Sequence, residues 1–263
     1  MEVDRRAFIA TVGAGALSAM SPEDKAEELE HYMIDMLDGG HGHDAEEPLS
    51  EEEQEVQEVR NARGMGRIFR PRSKPLEPMP ANATLEDFFR LRFAPANHVL
   101  QSASHAMQTG QPERTILACL LHDTVQTLVR ADHGYWGAQL FEPYVDERVS
   151  WGIKYHQALR FFPDESVGYE YPEMYNRIFG GDYVPEPYIY EAYEYARAHK
   201  YYMESRMITV NDTYAFQEGL AVDIDPFIDI IGRNFKTPKE GLGNDNSGSA
   251  HMWRTLANPE RPL

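Results

Sequence analysis

An apolar run, Ile116-Leu117-Ala118-Cys119-Leu120-Leu121, leads directly into His122-Asp123. Helical apolar runs belong in a core, and an imidazole and a carboxylate side by side there must find partners or pay a large desolvation penalty. A metal ion is one partner that satisfies both at once. Four further residues offer themselves as ligands: His98, His133, His156 and Asp212. Four imidazoles and two carboxylates, with no sulfur, suit iron or manganese better than a structural zinc. Six donors are too many for one catalytic ion that keeps open positions. They are a natural set for two ions sharing a bridging carboxylate, a role for which Asp123, next to His122, is well placed.

The words around these residues resemble the HD-domain superfamily. Four stretches carry the likeness: His98-Val99-Leu100-Gln101-Ser102-Ala103, Leu117 to Asp123, His133-Gly134-Tyr135-Trp136-Gly137-Ala138, and His156-Gln157-Ala158-Leu159-Arg160-Phe161-Phe162. Asp212, in Val210-Asn211-Asp212, falls where the last ligand is expected. The doublet alone says little; the ordered series of six says much more. Within the superfamily the chain is most similar to the oxygen-activating di-iron branch, which includes myo-inositol oxygenase and the 2-amino-1-hydroxyethylphosphonate dioxygenase. The resemblance implies that Asp123 bridges, that His98, His122 and Asp212 hold one iron, and that His133 and His156 hold the other. It implies an Fe(II)/Fe(III) pair that uses O2 to cleave a C–C or C–P bond of a small hydroxylated substrate, phosphonate-like if it is anionic.

Two other functions compete. Most HD-domain proteins are thought to be hydrolases, in which bridged manganese or other divalent ions acidify a water and clamp a phosphate ester. A metal-binding module without catalysis is the third. The words around His98 and His156 favour the oxygenase. For substrate contacts the expected residues are Arg160, one helical turn after His156, Gln126, four residues after His122, and Glu173 and Asn176. The last two stand near positions where the phosphonate enzymes carry small hydroxyl residues, ahead of Gly180-Gly181. Arg160 would grip an anion, unless it pairs with Asp164 or Glu165. Phe88 stands where a relative has a gating tyrosine. The ligand set thus follows the family more closely than the substrate pocket does.

The formal net charge of -18 argues against nucleic acid as a partner, and hydrophobic residues make up 42%, enough for a packed core. The single cysteine, Cys119, excludes an internal disulfide and reads as a small core residue. No apolar stretch is long enough to predict a membrane span. Asp4-Arg5-Arg6-Ala7-Phe8-Ile9, followed by a mild apolar run from Ala10 to Met20, resembles a twin-arginine export signal. This predicts a periplasmic protein whose mature form lacks the first twenty or so residues; the alternative is a cytoplasmic protein with an amphipathic start.

The chain is expected to be all-α: a signal over 1–20, a helical arm and linker over 21–83, one HD-type helical bundle over 84–235, and an extended tail over 236–263. Pro22 opens a helix predicted to reach Leu37, and Gly39 to Pro48 reads as linker, with His41, His43 and Asp44 solvated. A charged helix is expected over 51–60 and irregular chain over 70–83. Thr84 caps the first domain helix. Further helices are predicted over 97–109, 112–131, 133–144, 146–161, 186–206 and 209–217, with a structured loop over the site at 164–185. His105 and His199 read as peripheral, the tyrosines of 188–202 as packing, and Asp223, Asp225 and Asp229 as solvated or capping. The arm and tail leave room for an oligomer.

Overall fold

The computed structural model describes residues 3–37, 80, 83–93, 97–126, 132–181 and 183–241. It is all-α: no strand forms among the described residues, and only Asp164 and Tyr169 make an isolated antiparallel bridge. The expected helix at 51–60, the linker around His41 and His43, and the tail beyond Gly241 lie outside the described residues.

Three helices come first: α1 (Arg5–Val12), α2 (Ala14–Ala19) and α3 (Pro22–Leu37). Asp4 starts α1 by accepting from the Arg6 amide at 2.7 Å. Then α4 (Leu85–Phe88) opens on a reciprocal cap: the Thr84 hydroxyl accepts from the Asp87 amide while the Asp87 carboxylate accepts from the Thr84 amide. The bundle proper is α5 (Asn97–Gln108), α6 (Glu113–Leu121), α7 (His133–Phe141), α8 (Glu147–Leu159), α9 (Glu173–Phe179), α10 (Pro187–Ala198), α11 (Tyr202–Asp212) and α12 (Ile228–Asn234).

Helix α8 is the hub, packed against α11, α7, α6 and α10. It approaches α11 closely at Gly152, where a Cβ would lie 3.2 Å from the Glu204 carbonyl. One apolar core joins α5, α6, α7, α8, α11 and α12 through residues such as Val99, Leu117, Leu120, Phe141, Ile153, Ile208 and Phe227. A second core joins the N-terminal helices to the end of α8, α9 and α10: Phe8, Leu17, Ala26, Leu29 and Met33 meet Ala158, Phe161, Tyr175, Ile178 and Ile189.

Residues 3–19 therefore do not stand apart from the fold. Phe8 is fully buried and meets Tyr32 and Phe179 edge-on, and the Arg5 Nε donates to the Ile178 carbonyl at 2.9 Å. Phe8 and Leu17, from the stretch that resembles an export signal, contribute to the second core.

Three predicted helices differ in their bounds. The helix expected over 112–131 stops at Leu121, where the Thr124 amide bonds to Leu121 and the Gln126 amide to Asp123, three residues back instead of four. The stretch 186–206 is broken at His199, whose extended backbone lets its ring stack on Trp151 at 4.5 Å. The next helix consequently begins at Tyr202 and ends at Asp212. Within 164–185 a short helix, α9, forms. A helix also forms at Ile228–Asn234, where only capping acids were expected. No helix among the described residues is long and apolar enough to cross a membrane.

Candidate metal centre

All six expected ligands converge. His98 comes from the first turn of α5, His122 and Asp123 from the tightened end of α6, His133 from the start of α7, His156 from α8, and Asp212 from the last position of α11. Five are buried; the Asp212 side chain, 15% exposed, is the one that reaches an open edge.

Asp123 is the middle of the cluster. Its Oδ2 lies 2.8 Å from the His98 Nε2. Its Oδ1 lies 3.0 Å from the His133 Nε2, 3.3 Å from the His156 Nε2 and 3.4 Å from the His122 Nε2. The Asp212 Oδ1 is 3.4 Å from the His122 Nε2. Two overlapping groups have ligand atoms close enough to share an ion: His98, His122 and Asp212, and His122, Asp123 and His156. His133 adjoins the second, its Nε2 3.2 Å from that of His156.

The outer ring nitrogens explain why these atoms face one another. The His122 Nδ1 is 2.8 Å from the Cys119 carbonyl and the His156 Nδ1 is 2.6 Å from the Ile153 carbonyl. Carbonyls only accept, so each Nδ1 must carry a proton, and in the neutral ring Nε2 then presents a lone pair inward. Lone pairs of imidazole thus meet carboxylate oxygens that also only accept. The His122 Nε2, Asp123 Oδ1 and Asp212 Oδ1 are buried without a hydrogen-bond partner. Acceptors gathered in this way need cations among them.

The spacing fits a coordination shell. Ligands at about 2.1 Å from an ion, at angles between octahedral and tetrahedral, lie about 3.0–3.4 Å apart. The contacts of the Asp123 Oδ1 fall in that interval. Charge points the same way. Burial opposes charge on His122, but Asp123 and Asp212 overcome it and raise its pKa to about 9. Burial likewise opposes ionisation of Asp123, but His122 and His133 hold its carboxyl well below the usual range. Burial prevails at His156, whose ring it favours in the neutral form. The His/Asp centre can hold a metal ion.

Beside Asp212 opens a cavity of about 720 Å³. Its walls include Asp212, Arg160, Glu30, Tyr169, Tyr175 and Phe216, with the chain from Gly168 to Tyr175 along one side. Phe216 also stacks on His98. Of the expected substrate contacts, Glu173 lines this space and is exposed, whereas Asn176, which donates weakly to Glu173 at 3.4 Å, does not line it. Gln126 is buried and does not line it either.

Arg160 lines the cavity, but its charge is used internally. Its guanidinium donates to Glu27 and, at 2.5 Å, to Glu30, both from α3. These pairs replace the alternative pairing with Asp164 or Glu165, because a buried guanidinium must be neutralised inside the protein.

Glu27 and Glu30 were missed in the sequence. In an acidic helix they look solvated, yet they alternate with Ala26, Leu29 and Met33 on the stripe that packs inward. One guanidinium can balance one carboxylate. Burial raises both carboxyls; Arg160 and His133 bring Glu27 down to about 2, while Glu30, opposed by Asp123 and Glu27, rises to about 8. His105 is peripheral, as expected: it pairs with Asn211 at 2.8 Å and stacks on Tyr214.

No protein-family model matches the chain, and no curated protein matches it.

Proposed function

We propose that this protein is an HD-type, non-haem di-iron oxygenase that acts on a small hydroxylated substrate with O2. The observation that carries the metal part is the division of Asp123: one carboxylate oxygen faces His98 and the other faces His133, His156 and His122. A carboxylate so divided suits a bridge between two ions. His98, His122 and Asp212 would hold one, His133 and His156 the other. The preference for oxygen chemistry over hydrolysis rests on the sequence words around His98 and His156.

Bound iron would supply Lewis acidity toward a substrate hydroxyl and a site for O2. The chain supplies the rest. Asp212 sets the open edge at which a substrate meets the centre. Tyr169, Tyr175 and Phe216 give the cavity apolar walls that exclude water and strengthen polar contacts inside. Glu30, in the cavity wall with its carboxyl raised to about 8, can give or take a proton near neutral pH.

The cavity walls carry Glu170 and Glu173 beside the guanidiniums of Arg160 and Arg177. With Arg160 already paired, a neutral hydroxylated substrate suits them better than a phosphate or phosphonate dianion. Export by the twin-arginine route remains part of the reading, with residues 3–19 travelling as part of the folded protein.

The test is metal content together with oxygen uptake. The wild type should bind two irons and consume O2 with one member of a panel of hydroxylated compounds. His133→Ala and His156→Ala should each hold about one iron. Two irons retained in both variants would remove the ligand assignment, and phosphate-ester turnover without O2 uptake would replace the oxygenase with the hydrolase.

A further inference from the structure

Three histidines at the centre have a polar partner beside the outer nitrogen, and one partner differs in kind. His122 and His156 use backbone carbonyls three residues earlier in their own segments. These come with the helix. The His133 Nδ1 instead lies 2.9 Å from the Glu27 Oε2, a carboxylate brought from α3, more than a hundred residues away in sequence. His133 is the first residue of its helix, so α7 itself offers no carbonyl one turn earlier.

Glu27 is itself held from several sides. Its Oε1 accepts from the Gln157 Nε2 at 2.8 Å and from Arg160. The Gln157 Oε1 in turn accepts from the Gly134 amide at 2.6 Å, the residue after His133. Glu27 thus joins α3 to α7 directly and to α8 through Gln157 and Arg160, with the His133 ring at the junction. Apart from these contacts, its surroundings are buried.

We infer that Glu27 is a positioning residue of the metal centre: its carboxylate fixes the tautomer and ring orientation of His133, so that α3 of the N-terminal segment completes the site. The inference rests on the reading of the cluster as a metal centre. A carboxylate behind a ligating imidazole fixes the ring and makes the inner nitrogen a better donor, and losing such a partner typically lowers metal affinity about 10–100-fold. The effect falls on the ion that His133 holds and spares the one held by His98, His122 and Asp212.

The experiment titrates metal-free full-length protein with Fe(II) anaerobically, against a chromophoric chelator. Four proteins are compared in the first instance: wild type, Glu27→Ala, His133→Ala and the double variant. Wild type should take two equivalents. Glu27→Ala should keep one unchanged and bind the other about 10–100-fold more weakly. In the His133→Ala background, where one equivalent remains, adding Glu27→Ala should change nothing further. Phe8→Ala, which loosens the N-terminal packing without touching the centre, should leave both affinities as they are. Should Glu27→Ala not fold, Glu27→Gln is the substitute, with a several-fold loss at the same single equivalent. Two wild-type equivalents with unchanged affinities in the Glu27 variants would overturn this inference alone. An equal loss in Phe8→Ala, or a further loss in the His133→Ala background, would also overturn it, reducing Glu27 to a residue that docks α3. No metal bound by the wild type would overturn the metal centre as well.

Discussion

Replacing Gly134 by alanine tests whether the contact of α7 with α8 sets the centre. A Cβ at this position would lie 2.8 Å from the Ile153 carbonyl oxygen, 2.9 Å from the Gln157 Oε1 and 3.2 Å from the His156 Cε1. The Gln157 amide can swing away, at the loss of its bond from the Gly134 amide, worth about 1 kcal/mol. The Ile153 carbonyl cannot, since it belongs to α8 and orients His156. Helix α7 must therefore retreat by roughly 0.5 Å to restore ordinary van der Waals contact. Overpacking of this kind costs about 1–3 kcal/mol, against a gain of up to about 1 kcal/mol from helix propensity. Gly137 is the matched control on the same helix. Its Cβ would meet Ile153 Cγ2 at 3.4 Å, Val125 Cγ2 at 3.5 Å and the His122 carbonyl at 3.6 Å, all ordinary contacts. Gly137→Ala should therefore be neutral or stabilising by up to about 1 kcal/mol. The two variants should differ by about 2–4 kcal/mol, or roughly 5–10 °C in Tm for a chain of this size. Thermal melts followed by circular dichroism, paired with Fe(II) titration, give the result. Gly134→Ala should melt lower and bind the His133 ion more weakly, and Gly137→Ala should do neither. Equal Tm values and equal metal affinities would refute the reasoning.

Other parts of the structure give their own predictions. Arg206 is fully buried, donates to the Tyr202 hydroxyl at 2.8 Å and to the Leu159 carbonyl at 3.1 Å, and lies over the Tyr169 ring. Arg206→Ala should cost about 3–5 kcal/mol and lower Tm by on the order of 10 °C; a shift within 2 °C or so would show that the network carries no stability. Glu23 is buried against Tyr188, and burial raises its carboxyl above 4.5 although Arg160 opposes the shift. The folded state then binds the proton more tightly than the unfolded state does, so the stabilisation from Glu23 is complete below about pH 4.5 and is lost as pH rises through the folded value. Glu23→Gln should flatten that part of the stability profile, and denaturant unfolding across pH 4–8 that tracks the wild type would reject the assignment. Changing Arg5 and Arg6 to lysine should leave the protein in the cytoplasmic fraction, with residues 3–19 intact by mass in the exported wild type; unchanged distribution would reject export.

The histidine and aspartate cluster was legible because these residue types are scarce in cores. His122 and Asp123 follow an apolar run that had to be buried, and the remaining members of the cluster stand in short words within readable helices. Helix starts with strong local chemistry also read well: Pro22 at the head of α3 and the Thr84–Asp87 box each act through neighbours within one turn. What failed to show was set by distant partners. Arg160 looks like a free anion site until α3 brings Glu27 and Glu30 to it. The break at His199 depends on a stacking partner in α8, nearly fifty residues earlier. Phe8 reads in sequence as part of an export signal, and its contacts with Tyr32 and Phe179 come from residues far along the chain. Acidic residues on the inward stripe of α3 were the one available signal for the N-terminal contribution. Charge alone suggested solvent, and the helical period pointed inward.

Electron paramagnetic resonance on protein loaded anaerobically with iron and then partly oxidised, with iron counted on the same sample, tests the central claim most directly. About two irons per chain and a spin-half signal from a coupled Fe(II)/Fe(III) pair, diminished in His133→Ala, are expected. One iron per chain, or two without a coupled signal at any stage of oxidation, would contradict it.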